Sequence, residues 1–239
     1  MALLIAPIAA PVTTPVSKDQ PMPFRPGETL NYRVSWAAFS TAADIQLSVP
    51  ERRDLFGWQT WHFRATAHTQ SPVSSLFPID DQFDSYTDCA SLESRQFESH
   101  LDELGKASSQ VQHLVPTGQQ PKAPGASVVV EPGTRDALGA LFTIRGADWA
   151  RTPELRIPVY TGRDVYEMRG RRDAAPQPVT VPAGVYSAQR ISIAVFQHDK
   201  ELTNIHLAIW LANDPAHTPV VMQATLPFGN IRAELSPQK

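Results

Sequence analysis

A chain of 239 residues, 42% apolar and 19% charged, is long enough to bury a core of its own, and all-β chains of this size fold as single domains. Its formal net charge of −3 argues against a nucleic-acid partner, because such binders carry a basic excess gathered on one face. The single cysteine, Cys89, excludes an intramolecular disulfide and a thiolate metal cluster, and in an apolar alternating stretch it reads as a small core residue.

Met1 to Val12 (MALLIAPIAAPV) is apolar and Ala-rich like the tail of a secretory signal, but its first basic residue is Lys18 and it is too short to span a bilayer. It reads as a signal or anchor remnant, with a plain disordered lead as the alternative. Residues 13–26 are a Pro-rich linker expected not to pack. The chain thus divides into a lead over 1–25 and one antiparallel β domain over 26–239. The 22 prolines, about twice the usual frequency, fall at the ends of alternating runs, where they terminate strands and blunt sheet edges.

Glu28 to Phe39 opens the domain as a strand, with Leu30, Tyr32, Val34 and Trp36 on one face. Ala43 to Val49 returns as the second strand, closed by Pro50. Phe56 to Thr69 is the third, and its phase change between Trp58 and Trp61 predicts a bulge there. Ser71 to Ile79 is expected to form a short helix or loop capped by Ser71. Hairpin strands over 81–90 and 94–101 follow, then a short strand at 111–115 and a flexible polar loop at 117–126. Thr134 to Trp149 is the one good helix candidate, capped by Thr134, with Leu138, Leu141, Phe142 and Ile144 on one face. Strands at 155–159, 164–169, 179–181 and 186–197 lead into a final meander over Asn204 to Leu235. There Ile205, Leu207, Ile209 and Leu211 alternate with polar and small residues, and Asn213 to Pro219 and Pro227 to Asn230 supply the turns. The expected fold is all-β and mainly antiparallel: a curved or barrel-like meander of about ten to twelve strands with one or two short helices.

The acidic run Asp80, Asp81, Asp84 and Asp88 invites a catalytic or metal reading. On a strand, Asp80, Asp84 and Asp88 share a face at intervals of about 13 Å, too far for a retaining carboxylate pair or for one ion. The run also lacks the ligand spacing of a calcium loop. Seven histidines are present, none paired at ligand spacing, and the HExxH, GxSxG, GxGxxG and P-loop patterns are absent. Trp36, Trp58, Trp61, Tyr86 and Trp210 lie on or beside strands. They are the candidate ligand-binding residues of a closed or half-closed barrel, the competing reading being that they fill it.

Four segments carry a resemblance: FRPGETLNYRVSW, LFPIDDQFDSY, VPAGVYSAQRISI and the ending IWLANDPAHTPVVMQATLPFGNIRAEL. Together they resemble the bacterial domain of unknown function 3108 over nearly the whole chain after Pro23. That resemblance implies an exported protein with a signal peptide or N-terminal anchor, and it supplies no activity and no catalytic residues to carry over.

The expectation is an exported, periplasmic or envelope-facing protein that binds a hydrophobic (lipid) or glycan ligand, or an envelope protein partner, without catalysis, cofactor or metal. The alternative is an envelope-polymer hydrolase using Asp80, Asp81 or Asp84 with His62 or His68, which requires those groups to converge. A third reading is a structural or assembly factor that binds a partner by strand addition, favoured by an exposed edge free of Pro and Lys.

Overall fold

The computed structural model describes residues 22–173 and 175–238, so the reading of Met1–Val12 lies outside the described residues. Fifteen strands and one helix follow in chain order: β1 (Glu28–Trp36), β2 (Phe39–Leu55), β3 (Trp58–Thr69), β4 (Asp80–Asp88), β5 (Ser94–Glu103), β6 (Lys106–Pro116), β7 (Ser127–Val130), β8 (Arg135–Asp136), α1 (Ala137–Gly146), β9 (Glu154–Tyr160), β10 (Val165–Arg172), β11 (Gln177–Val181), β12 (Gly184–Gln197), β13 (Lys200–Ala212), β14 (Pro219–Leu226) and β15 (Gly229–Ser236). They form one sheet in the order β7-β6-β5-β4-β3-β2-β1-β15-β14-β13-β12-β10-β9-β8, with β11 beside β12.

The strand count exceeds the expected ten to twelve, and the sheet is mixed, since β6–β7 and β8–β9 pair in parallel. The parallel pairs and two of the added strands come from β7 and β8, which at four and two residues are too short to show a period of two. The same two strands explain the shape. They occupy opposite ends of the sheet order, yet only residues 131–134 separate them. Five Cα steps reach at most about 18 Å, so the two ends must curl towards each other. The described strands do not close by a ladder. Side chains bridge the seam instead: Gln112 Nε2 of β6 donates to the Tyr160 hydroxyl of β9 at 2.7 Å, and that hydroxyl donates to the Gly162 carbonyl at 2.7 Å.

Inside the curl lies α1. Its N-cap is Asp136, whose side chain accepts from Gly139 N, so the helix starts two residues later than a Thr134 cap would place it. Phe142 stacks on Phe63 of β3 with ring centroids 3.7 Å apart, and Phe24 meets Trp61, Phe63 and Phe142 edge-on at 4.9, 5.3 and 5.1 Å. Phe24 is therefore a core residue, and the expectation of an unpacked linker over 13–26 does not extend to it. Helix and sheet approach so closely that a Cβ on Gly139 would meet Ser94 Oγ at 2.7 Å.

Three local expectations change. The bulge lies on β2, between Ser48 and Glu51 opposite β3, not between Trp58 and Trp61. It accommodates Pro50, so β2 runs on through the proline instead of ending there. Trp58 and Trp61 lie on opposite faces simply because they are three residues apart on a regular strand. The short helix or loop expected over 71–79 is a 3-10 turn, Val73–Ser75, within a loop, and its N-cap is Pro72 instead of Ser71. The final meander matches its reading: β13, β14 and β15 pair in order, and β15 returns to β1.

Candidate functional site

On β3, β4 and β5, residues alternate between the face that carries α1 and the opposite face. Trp61, Phe63, Ser85 and Phe97 belong to the first. Register places His62 opposite Tyr86, Arg64 opposite Asp84, and Thr66 opposite Gln82 on the helix-free face. Across β4 and β5, Asp84 faces Glu98, Tyr86 faces Gln96, and Gln82 faces His100. Nine polar or aromatic side chains on three strands thus share one surface.

Asp84 is its centre and is buried. His62 Nε2 lies 2.5 Å from its Oδ1, Arg64 Nε donates to the same oxygen at 2.7 Å, and Gln82 Nε2 donates to Oδ2 at 2.7 Å. Burial pushes the Asp84 carboxyl up, but the donors from His62, Arg64 and Gln82 outweigh it and hold the group below the usual carboxylate range. The His62 ring stacks on Tyr86 with centroids 4.6 Å apart. Burial, reinforced by the negative charges of Glu98 and Asp84, pushes the Tyr86 hydroxyl up to about 12. Beyond Asp84, Gln96 Nε2 donates to Glu98 Oε1 at 2.5 Å, and His100 Nδ1 lies 3.0 Å from Ser109 Oγ of β6.

Of the candidate acid–base residues, the fold joins Asp84 to His62, and separately Asp80 to His68 at 2.8 Å in an exposed pair. Asp81 points to the helix-bearing face, where it accepts the Asp102 N–H at 3.1 Å; burial pushes its carboxyl up. The aromatic candidates do not share one cavity. Trp61 is buried in the core. Tyr86 belongs to the polar face, and Trp58 lies between Arg95 and Lys122 at 4.0 and 3.9 Å. Trp36 meets Phe39 and Phe77 at one rim, and Trp210 lies on a distant strand beneath Arg190 and Arg232 at 5.2 and 5.7 Å. Cys89 is a half-buried free thiol, and burial pushes its pKa up.

Arg64, Gln82, Gln96, Glu98, His100 and Ser109 were not singled out by the sequence. Their only sequence signal is a run of polar residues at alternate positions, Gln96, Glu98 and His100. It becomes meaningful once register sets that run beside Asp84.

The polar face adjoins an open edge. β6 pairs with β5 from Lys106 to His113 and with β7 only from His113 to Pro116. Among the described residues no strand covers the second edge of residues 106–112, and Lys106–Val111 are exposed. Ser109 lies opposite His100 and Val111 opposite Glu98, so a strand added here would run alongside the polar face.

The family model described as protein of unknown function (DUF3108) matches residues 31–236. The chain has no match among curated proteins. A β-barrel-like protein of domain of unknown function DUF1849 from Brucella abortus is similar in fold, with a TM-score of 0.52 and 11% identity over 87% of this chain and 94% of that one. A candidate lipoprotein from Parabacteroides distasonis gives a TM-score of 0.41 at 11% identity, covering 90% of this chain and 96% of its own. A candidate exported protein with a YmcC-like fold from Bacteroides fragilis gives 0.34 at 10% identity over the same shares.

Proposed function

The chain belongs to the DUF3108 family of unknown function, and from that premise we propose that it is a non-catalytic, envelope-facing protein that binds an extended segment of a partner protein along the free edge of β6. The observation that carries this reading is the uncovered backbone of residues 106–112. Natural sheets blunt such edges with proline, charge or a covering element. Here Lys106 at the start of the edge is the one charged residue before His113, and the first proline is Pro116. The chain's own β7 already adds in parallel to the last residues of this edge, which is the geometry an incoming strand would extend. Side chains of that strand would reach the polar face, where Glu98, His100 and Arg64 are solvent-accessible in part.

Two observations weigh against the other readings. The helix and its ring stack pack inside the curl, where an apolar ligand would otherwise lie. Asp84 already accepts three hydrogen bonds and is held ionised, which makes it a weak proton acceptor for hydrolysis. Small-ligand binding keeps one specific support, a cleft of about 540 Å³ at the far rim lined in part by Pro23, Trp149, Leu211 and Pro215. An envelope location rests on the apolar Met1–Val12 and on what the family resemblance implies; no helix among the described residues is long and apolar enough to cross a membrane.

Amide hydrogen exchange tests the edge reading. Peptides selected for binding from an extended-segment library should slow exchange at alternate amides of residues 106–112, and Ser109→Pro should abolish binding, because the His113 N–H faces the β7 side and Ser109, four residues earlier on a regular strand, has its N–H on the same edge. Protection confined to the Trp149 cleft would overturn the edge reading in favour of a small-ligand site.

A further inference from the structure

We propose that Asp84, Glu98 and His100 bind one divalent transition-metal ion of the zinc or manganese class on the helix-free face. This site stands apart from the strand-addition reading and does not depend on it. Asp84 and Glu98 are directly paired across β4 and β5, and His100 is two residues beyond Glu98 on the same face. One ligand atom from each of the three lies within 4.8 Å of the others.

The spacing of Glu98 and His100 carries the inference. His100 Nδ1 lies 3.0 Å from Ser109 Oγ; an imidazole donating there presents a bare Nε2 to Glu98 Oε2, 3.5 Å away. Two acceptors then face each other at a distance too long for a normal hydrogen bond. Across a tetrahedral ion with bonds of about 2.0–2.1 Å, two ligand atoms stand roughly 3.3–3.5 Å apart. The pair is therefore already set at the separation an ion would impose. A serine on the distal ring nitrogen is also the kind of outer partner that fixes the tautomer of a metal-bound histidine.

Asp84 offers a ligand atom within 4.8 Å of the other two and would close by roughly 1 Å or more to join them. His62, Arg64 and Gln82 orient its carboxylate, and Oδ2, with a single donor at 2.7 Å, keeps a lone pair free. Gln96 borders the site: it is 7% exposed, its Nε2 abuts Glu98 Oε1 at 2.5 Å, and its Oε1 is buried with no partner among the described residues. Arg64 is the adverse charge; two carboxylates against one guanidinium still leave the cluster negative. The mixed oxygen–nitrogen set suits zinc or manganese better than calcium, which prefers oxygen alone.

The test is calorimetric titration of chelator-treated protein with Zn²⁺ alone, repeated with Mn²⁺, alongside thermal melts. One ion per chain should bind and raise the Tm. Glu98→Gln and His100→Gln should each weaken binding at least about 10-fold, and Ser109→Ala by a smaller factor. Glu98 and His100 are partly exposed, so both variants should melt like the parent without metal, which separates lost binding from lost fold. The proposal is overturned if the parent binds no ion, or if Glu98→Gln and His100→Gln bind Zn²⁺ as the parent does.

Discussion

Replacing Asp84 with asparagine keeps the shape of the side chain and removes one charge. The amide oxygen still accepts from His62 and Arg64, now at 2.5 and 2.7 Å, and Gln82 can turn its own amide to accept from the new N–H. What is lost is charge assistance in all three bonds, offset in part by the burial cost that the charge no longer bears. A hydrogen bond to an ionised group contributes about 1.5–3 kcal/mol and a neutral one about 0.5–1.5, so each bond loses roughly 1 kcal/mol. The Arg64 side chain is 38% exposed, and water screens its share by about half. The expected cost is about 1.5 kcal/mol, or roughly 3–6 °C in Tm for a chain of this size. The pH dependence sharpens the test. Because the folded carboxyl is held below its ordinary value of 3.8, its contribution is complete above that value and is lost as pH falls through the lower folded one. The gap between parent and Asp84→Asn, read from urea unfolding curves, should stay constant from about pH 7 to 5 and close below about pH 4. A gap under about 0.5 kcal/mol, or one that persists unchanged in acid, would refute the account of Asp84 as the ionised hub of the polar face.

Two further predictions concern the interior. Phe142→Ala removes the ring stacked on Phe63 and edge-on to Phe24, at a residue only 2% exposed, and should cost about 3–5 kcal/mol, seen as a large drop in the denaturation midpoint; Phe142→Leu should restore about half, and a loss under 1 kcal/mol for the alanine variant would show that the helix does not plug the curl. Asp136 caps α1 and accepts from Ser85 Oγ at 2.5 Å, while burial, opposed by the bonds from Gly139, Ser85 and Ser94, pushes its carboxyl up. A raised folded value means its stabilising share is complete below the unfolded range and lost as pH rises through the folded one. Asp136→Asn, an equally good cap, should therefore gain on the parent as pH rises from about 4, whereas Asp136→Ala should lose about 2–4 kcal/mol at about pH 4 and progressively less as pH rises, both measured by thermal melts.

The strands that could be read from the sequence are those whose two faces meet different surroundings. Ile191, Ile193 and Val195 of β12 are buried between more exposed neighbours, and the alternation follows directly. The readings that failed did so where a second constraint overrides the period. Pro50 looks like a strand end because proline removes a ladder donor, but a bulge gives it a place where no donor is needed. Phe24 looks like linker because its neighbours are prolines, and only the ring stack around Phe142 shows why it is buried. Thr134 and Asp136 are both good caps two residues apart, and the parallel pairing of Arg135 and Asp136 with β9 decides between them.

The polar face was hidden for a different reason. Asp84 and His62 are separated by 22 residues, and Asp84 and Glu98 by 14, so no local spacing announces them; they meet because β3, β4 and β5 are joined as consecutive antiparallel neighbours. Sliding β4 by one residue would send Asp84 to the helix side and bring Ser85 and Phe83 out, so the buried apolar residues of the other face fix the register of the polar one. Phe63 must face α1, which obliges His62 and Arg64 to face away. Asp136 on the helix side draws in Ser85, which leaves Asp84 and Tyr86 outward. The core and the candidate site are therefore two sides of the same strands. The helix packed inside the curl is also what sets Asp84, Glu98 and His100 in line beside the open edge of β6.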